Sequence, residues 1–176
     1  MALVMTPIFT QTAGSGGVAN FTFNNIPQFY TDLKLVVSSR WNVAQAYIPL
    51  GMYFNGTTFP DTLASFTRVY GDGATALSNR STGAYMDAGQ GNGTTATANT
   101  FGNTEIYIPN YTSSNFKQII VDGVAENNVA TVNLFLSLNA CLWRSTNAIT
   151  KIEISTGYTA LQHSTASLYG IIRNGA

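Results

Sequence analysis

Asp32-Leu33-Lys34-Leu35-Val36-Val37-Ser38-Ser39 puts Leu33, Leu35 and Val37 on one parity and Lys34, Val36 and Ser38 on the other. Alternation with a period of two marks a half-buried strand, because successive side chains leave a strand on opposite faces. The same period recurs on both sides of this stretch. Phe21 and Phe23 alternate with Thr22 and Asn24, and Ile106 and Ile108 with Glu105 and Tyr107. Ile119 with Val121, Val132 with Leu134 and Leu136, Ile152 with Ile154, and Tyr169 with Ile171 continue it. The runs are rich in Val, Ile, Thr, Phe and Tyr, which suit a pleated surface. No window of helical length shows a 3.6-residue period.

Turn chemistry separates the runs. Asn55-Gly56 and Asp72-Gly73 are hairpin-type dipeptides, and Asn92-Gly93 and Asp122-Gly123 read the same way. Pro27 and Pro109 end strands, since proline donates nothing to a ladder. About eight to ten strands result. That number predicts an all-β fold, an antiparallel β-sandwich or jelly-roll-like pair of sheets. Residues 19–176 form one such domain. Residues 1–18 read as an extended N-terminal arm rather than a core strand. Ala2 to Phe9 is apolar around Pro7, and Gly14, Gly16 and Gly17 make a flexible hinge behind it. Such an arm lies across its own sheet, reaches a neighbouring subunit, or frays. Gly71 to Asn103 is rich in Gly, Ser, Thr, Ala and Asn. It reads as a long loop with room for one strand around Gly83 to Asp87.

The chain has 176 residues, enough for a single domain with its own core, and 45% of them are hydrophobic. Only 9% are charged, against about 25% in a typical soluble domain. Surfaces that pack against other proteins are depleted in charge because desolvating it is costly. A β-domain with a neutral surface has the same composition. Eight basic and eight acidic residues cancel, and no basic run occurs. Nucleic acid, which calls for clustered Lys and Arg, is therefore not an expected partner. Met1 to Thr10 has neither a basic start nor a long apolar stretch. No signal peptide and no membrane span are expected, which fits synthesis in a cytoplasm.

Candidates for chemistry are few. His163 is the only histidine and Cys141 the only cysteine. A nucleophilic triad would have to use His163, and no G-x-S-x-G elbow surrounds a serine. Two such residues cannot supply the four ligands of a structural zinc site within one chain. The acids are scattered, with no calcium-loop spacing, and no phosphate loop is present. No cofactor, no metal and no enzymatic activity are expected. Trp41, Tyr53, Tyr70, Tyr85, Tyr107, Tyr111 and Trp143 are candidates for a sugar-stacking platform or interface anchors, with core packing as the alternative. Arg68 and Glu105 are candidate ion-pair partners across strands; two independent exposed charges are the alternative.

Several segments together resemble a module of tailed-bacteriophage virion structural proteins. They are Phe21 to Gln28 (FTFNNIPQ), Tyr30 to Arg40 (YTDLKLVVSSR), Tyr53 to Gly56 (YFNG) and Phe66 to Gly73 (FTRVYGDG). Asn99 to Gly102 (NTFG), Glu105 to Tyr111 (EIYIPNY), Asn115 to Lys117 (NFK) and Ala125 to Asn128 (AENN) follow. Leu142-Trp143 and Ser164 to Ile171 (STASLYGI) complete the set, in matching order over residues 19–172. The resemblance implies a β-sandwich, often trimeric, on the outer surface of the particle. The expected function is capsid cement or decoration, with the major capsid protein and further copies of the chain as partners. The alternative is a tail or fibre head domain binding a host-surface glycan, marked by exposed aromatics near Tyr85. The expected contact residues are Leu3, Val4, Ile8 and Phe9 of the arm, and Tyr85 and Met86 of the long loop.

Overall fold

Leu33, Leu35 and Val37 are fully buried, and Phe21, Phe23, Ile106, Ile108, Ile152 and Ile154 join them in one core. The computed structural model describes residues 4–127 and 135–172. Among the described residues twelve strands occur: β1 (Val4–Thr12), β2 (Phe21–Phe23), β3 (Asp32–Ser39), β4 (Tyr47–Phe54), β5 (Ala64–Gly71), β6 (Ala76–Thr82), β7 (Met86–Asn92), β8 (Gly102–Pro109), β9 (Lys117–Ala125), β10 (Phe135–Trp143), β11 (Ile152–Ser155) and β12 (Thr165–Ile172). Eight form a sheet in the order β1-β12-β3-β8-β9-β10-β5-β6, and four form a second in the order β2-β11-β4-β7. The sheets are antiparallel and pack as a sandwich, with aromatic edge contacts in the core. Phe21 meets Trp41 at 6.1 Å and Phe54 meets Trp143 at 5.2 Å between ring centroids.

Twelve strands stand where alternation counted eight to ten, and the extra ones lack alternation. β6 is exposed at almost every position, whereas β7 is buried at every position. These two strands, of seven residues each, lie within the stretch read as the Gly71–Asn103 loop, and β7 begins at Met86 rather than Gly83. The remaining turn, residues 93–101, is pinned. Arg40 donates to the carbonyls of Thr94, Ala96, Thr97 and Thr100 at 2.8–3.2 Å.

The segment read as an arm is an edge strand. β1 pairs with β12 from Val4↔Ile172 to Thr12↔Thr165, with a shift between Pro7 and Phe9. Pro7 is tolerated because one side of the strand has no neighbour. Asp72-Gly73 closes the β5–β6 hairpin as expected. Asp122-Gly123 does not turn: it lies inside β9. There β7 crosses close overhead, and a side chain at Gly123 would stand 3.3 Å from the Gly89 Cα. Gly89 itself has φ +87°, and a Cβ on it would approach Thr104 Oγ1 to 2.6 Å. The dipeptide is therefore there for clearance.

Arg68 and Glu105 do not meet. β9 and β10 separate their strands. Glu105 pairs with Lys34 at 2.7 Å, and Arg68 turns inward to Asp87 at 2.6 Å. Asp87 is fully buried, and burial raises its carboxyl pKa while Arg68 pulls it down. Arg68 also lies over the Tyr70 and Phe135 rings, at 4.8 and 5.3 Å from their centroids.

Arg68→Ala strands a buried carboxylate and is expected to cost about 3–5 kcal/mol, measured by urea unfolding. Gly89→Ala is expected to cost about 2–4 kcal/mol from the positive φ and the Thr104 clash together. An unchanged midpoint in either variant would show the pair or the crossing to be unimportant to folding.

Candidate docking surface

β10 reads Phe135-Leu136-Ser137-Leu138-Asn139-Ala140-Cys141-Leu142-Trp143. Its aliphatic parity is Leu136, Leu138, Ala140 and Leu142. That parity faces away from the core, and Phe135, Ser137, Asn139, Cys141 and Trp143 face in. The sequence pattern had placed Leu136 inside with Val132 and Leu134, so its face is corrected; Val132 and Leu134 lie outside the described residues.

The interior explains the inversion. β7 brings Asp87 against β10, and the Asp87 carbonyl accepts from Asn139 Nδ2 at 3.1 Å and from Cys141 Sγ at 3.4 Å. Polar groups are required at 139 and 141 to satisfy it. Burial pushes the Cys141 thiol up to about 12. At neutral pH it stays protonated and is no nucleophile.

The consequence appears on the opposite face. Residues directly across an antiparallel ladder share a face. Leu138 stands between Asp122 of β9 and Val69 of β5, and Leu136 between Val124 and Gly71. Ile120 stands beside Ala140. Val69 is 55% exposed, Ile120 56%, Leu136 59% and Leu138 53%. With Val124 they form an aliphatic patch across three strands, with a shallow depression of about 690 Å³ at its β6 side. Polar groups border it, the Lys34–Glu105 pair and Ser78 of β6, and Asp122 stands within it beside Leu138, between Ile120 and Val124. Exposed aliphatic side chains gathered inside a polar border are the anatomy of a protein interface.

The residues expected to make contacts are not gathered here. Leu3 lies outside the described residues. Val4 and Phe9 are exposed, and Ile8 is partly buried, on the β1 edge at the far side of the sheet. Phe9 packs edge-on against Phe23 at 6.1 Å. Tyr85 is partly buried, its ring 5.6 Å from Phe66, and it opens onto a groove on the four-stranded sheet. Met86 is fully buried opposite Met52, so it offers no surface to a partner. A large side chain in a polar stretch had suggested exposure; here it fills the core. Of the aromatics considered for binding, Trp41, Tyr53, Tyr111 and Trp143 are buried. His163 is exposed between β11 and β12. Among the described residues no three His, Cys, Asp or Glu side chains gather to hold a metal ion. The patch is hidden in the sequence because Leu136 continues the apolar spacing of Val132 and Leu134. The conflicting signal was present: Ser137 and Asn139 share their parity with Phe135 and Trp143.

No family model and no curated protein matches the chain. Among solved structures it is similar to the crystal structure of Caenorhabditis elegans galectin LEC-6. The identity is 13% and the TM-score 0.35, over 93% of this chain and 96% of that one.

Leu136→Ser and Leu138→Ser are expected to change the unfolding free energy of dilute protein by no more than about 0.5 kcal/mol. Asn139→Ala, on the inward parity, is expected to cost about 1–3 kcal/mol. The reverse ranking in a denaturant series would place the aliphatic parity inside.

Proposed function

We propose that this chain is a non-enzymatic structural subunit of a tailed-bacteriophage particle, a cement or decoration protein of the outer capsid surface. The observation that carries the structural role is the outward aliphatic parity of β10. A strand that spends leucines on its exposed face is built to cover that face with protein. The link to a phage capsid draws on the ordered segments from Phe21 to Ile171 described above. In this reading the patch of Val69, Ile120, Leu136 and Leu138 packs against further copies of the chain, in a trimer. The β1 edge with Val4, Ile8 and Phe9 faces the major capsid protein from the other end of the same sheet.

Docking of this kind works by multiplicity. A symmetric oligomer presents one edge several times, so weak contacts add through effective concentration. The binding free energy exists only where neighbouring coat subunits stand together, so it stabilises the assembled shell by mass action.

Quantitative mass spectrometry of purified particles is expected to give a copy number comparable to the major coat protein. A handful of copies would move the chain to the tail, and its absence would overturn the reading. In solution, Leu136→Asp/Leu138→Asp is expected to sediment as a monomer and to lose capsid occupancy. A variant that still assembles would remove the patch from the account.

A further inference from the structure

The outer face of the four-stranded sheet carries a groove of about 520 Å³. Glu153 of β11 stands directly opposite Tyr53 of β4, and Ser155 opposite Gly51. Gly51 lets the Tyr53 ring lie down on the sheet: a Cβ there would meet the Tyr53 ring and hydroxyl at 2.8–2.9 Å. The ring lies along the sheet and Tyr53 is only 8% exposed, so it backs the groove rather than offering a face to it. Tyr85 closes one end. Phe59, 67% exposed, stands over the groove on the loop that follows β4.

That loop is built. Asp61 is buried; its carboxylate accepts from Thr57 Oγ1 at 3.0 Å and from the Leu63 amide at 2.9 Å, and its own amide donates to the Ala84 carbonyl at 2.7 Å. Phe59 is thus presented to solvent by an anchored segment, with no core to fill.

We propose that this groove binds a neutral saccharide, with a sugar ring stacked on Phe59 and its hydroxyls received by Glu153, Tyr85 and Ser155. A pyranose has an apolar C–H face and a hydroxyl-bearing edge, which match the exposed Phe59 ring beside a carboxylate and hydroxyls. The charge state selects among ligands. Glu153 is paired with Lys151 at 3.2 Å and accepts from Asn20 Nδ2 at 3.3 Å. Its charge is already balanced and its orientation held, so a cationic ligand gains little from it. Its remaining lone pairs accept hydroxyl protons. An anionic sugar would face Glu153 with Asp61 behind Tyr53. Burial raises the pKa of both the Tyr53 and Tyr85 phenols, which keeps them as protonated donors.

The groove and the aliphatic patch lie on opposite outer faces of the sandwich, so this site does not rest on the docking reading. A copy held by its eight-stranded sheet still displays the groove to solvent, and several copies would bind a multivalent glycan with avidity.

The test applies the full chain, fluorescently labelled, to a glycan array carrying neutral and sialylated oligosaccharides, with parallel wells of free choline and arginine as competitors. Binding confined to neutral glycans is expected. Phe59→Ala and Glu153→Gln should each weaken it about tenfold or more with an unchanged melting temperature. The Leu136→Ser/Leu138→Ser protein should bind each spotted glycan at unchanged monomer affinity. No binding to neutral glycans, binding only to sialylated ones, displacement by choline or arginine, or binding that survives both groove substitutions would overturn the proposal.

Discussion

Asp87 sits at the edge of the smaller sheet with its carboxylate fully buried, and much of the molecule is arranged around that charge. A lone carboxylate in such a place costs several kcal/mol unless it is paired and hydrogen-bonded. Arg68 reaches across from β5 to pair with it, held in turn by Asn79 Oδ1 at 2.8 Å and by the Tyr70 and Phe135 rings. The Gly89 amide donates to the other carboxylate oxygen at 2.9 Å. Asn139 and Cys141 bond the Asp87 carbonyl. One residue therefore ties β7 to β5 and β10 and joins the two sheets at one end of the sandwich. The same requirement makes the inward parity of β10 polar. Its aliphatic parity is left to face outward.

The unequal sizes of the sheets have a second effect. Four strands cannot cover the inner face of eight. At one end β1 overhangs, with Val4, Met5 and Phe9 exposed; at the other β6 overhangs, exposed at almost every residue. Unpaired edges invite pairing with other chains. On β1, Pro7 and the shift after it break the row of donors. On β6 the polar run Ser78-Asn79-Arg80-Ser81 lowers the appeal of the edge to another strand. Contact with partners is thereby steered toward side chains on faces and away from open backbone ladders.

The sandwich was legible wherever one parity is apolar and the other polar. Leu33, Leu35 and Val37, Ile106 and Ile108, and Ile152 and Ile154 all point inward as their spacing requires. It was illegible where tertiary demands override local pattern. β7 is Met86-Asp87-Ala88-Gly89-Gln90-Gly91-Asn92, poor in strand formers, yet buried throughout because glycines let it cross close to β9. Asp122-Gly123 has the chemistry of a turn and serves as the clearance under that crossing. In β10 both parities contain large apolar residues, and only Asp87, 52 residues away from Asn139, decides between them. The contact residues suffered for the same reason. Val4 and Phe9 are exposed and Met86 is not, and Leu136 carries the same apolar spacing as the core strands.

The size of the patch bears on how many copies must meet. Val69, Ile120, Val124, Leu136 and Leu138 are already about half covered by their neighbours. Burying the rest gives roughly 1 kcal/mol for each side chain, about 5 kcal/mol for each copy and about 10 kcal/mol where two patches meet. Association of two proteins costs an estimated 4–15 kcal/mol in lost freedom, so a single contact of this size is marginal. Closing a ring changes the balance. Each copy in a cyclic trimer takes part in two interfaces, and the third contact forms within an assembly whose freedom is already lost. Net charge near zero removes the repulsion that would oppose it. A patch whose pairwise contact is marginal thus gains from any closed assembly, and the trimer proposed above is one such form.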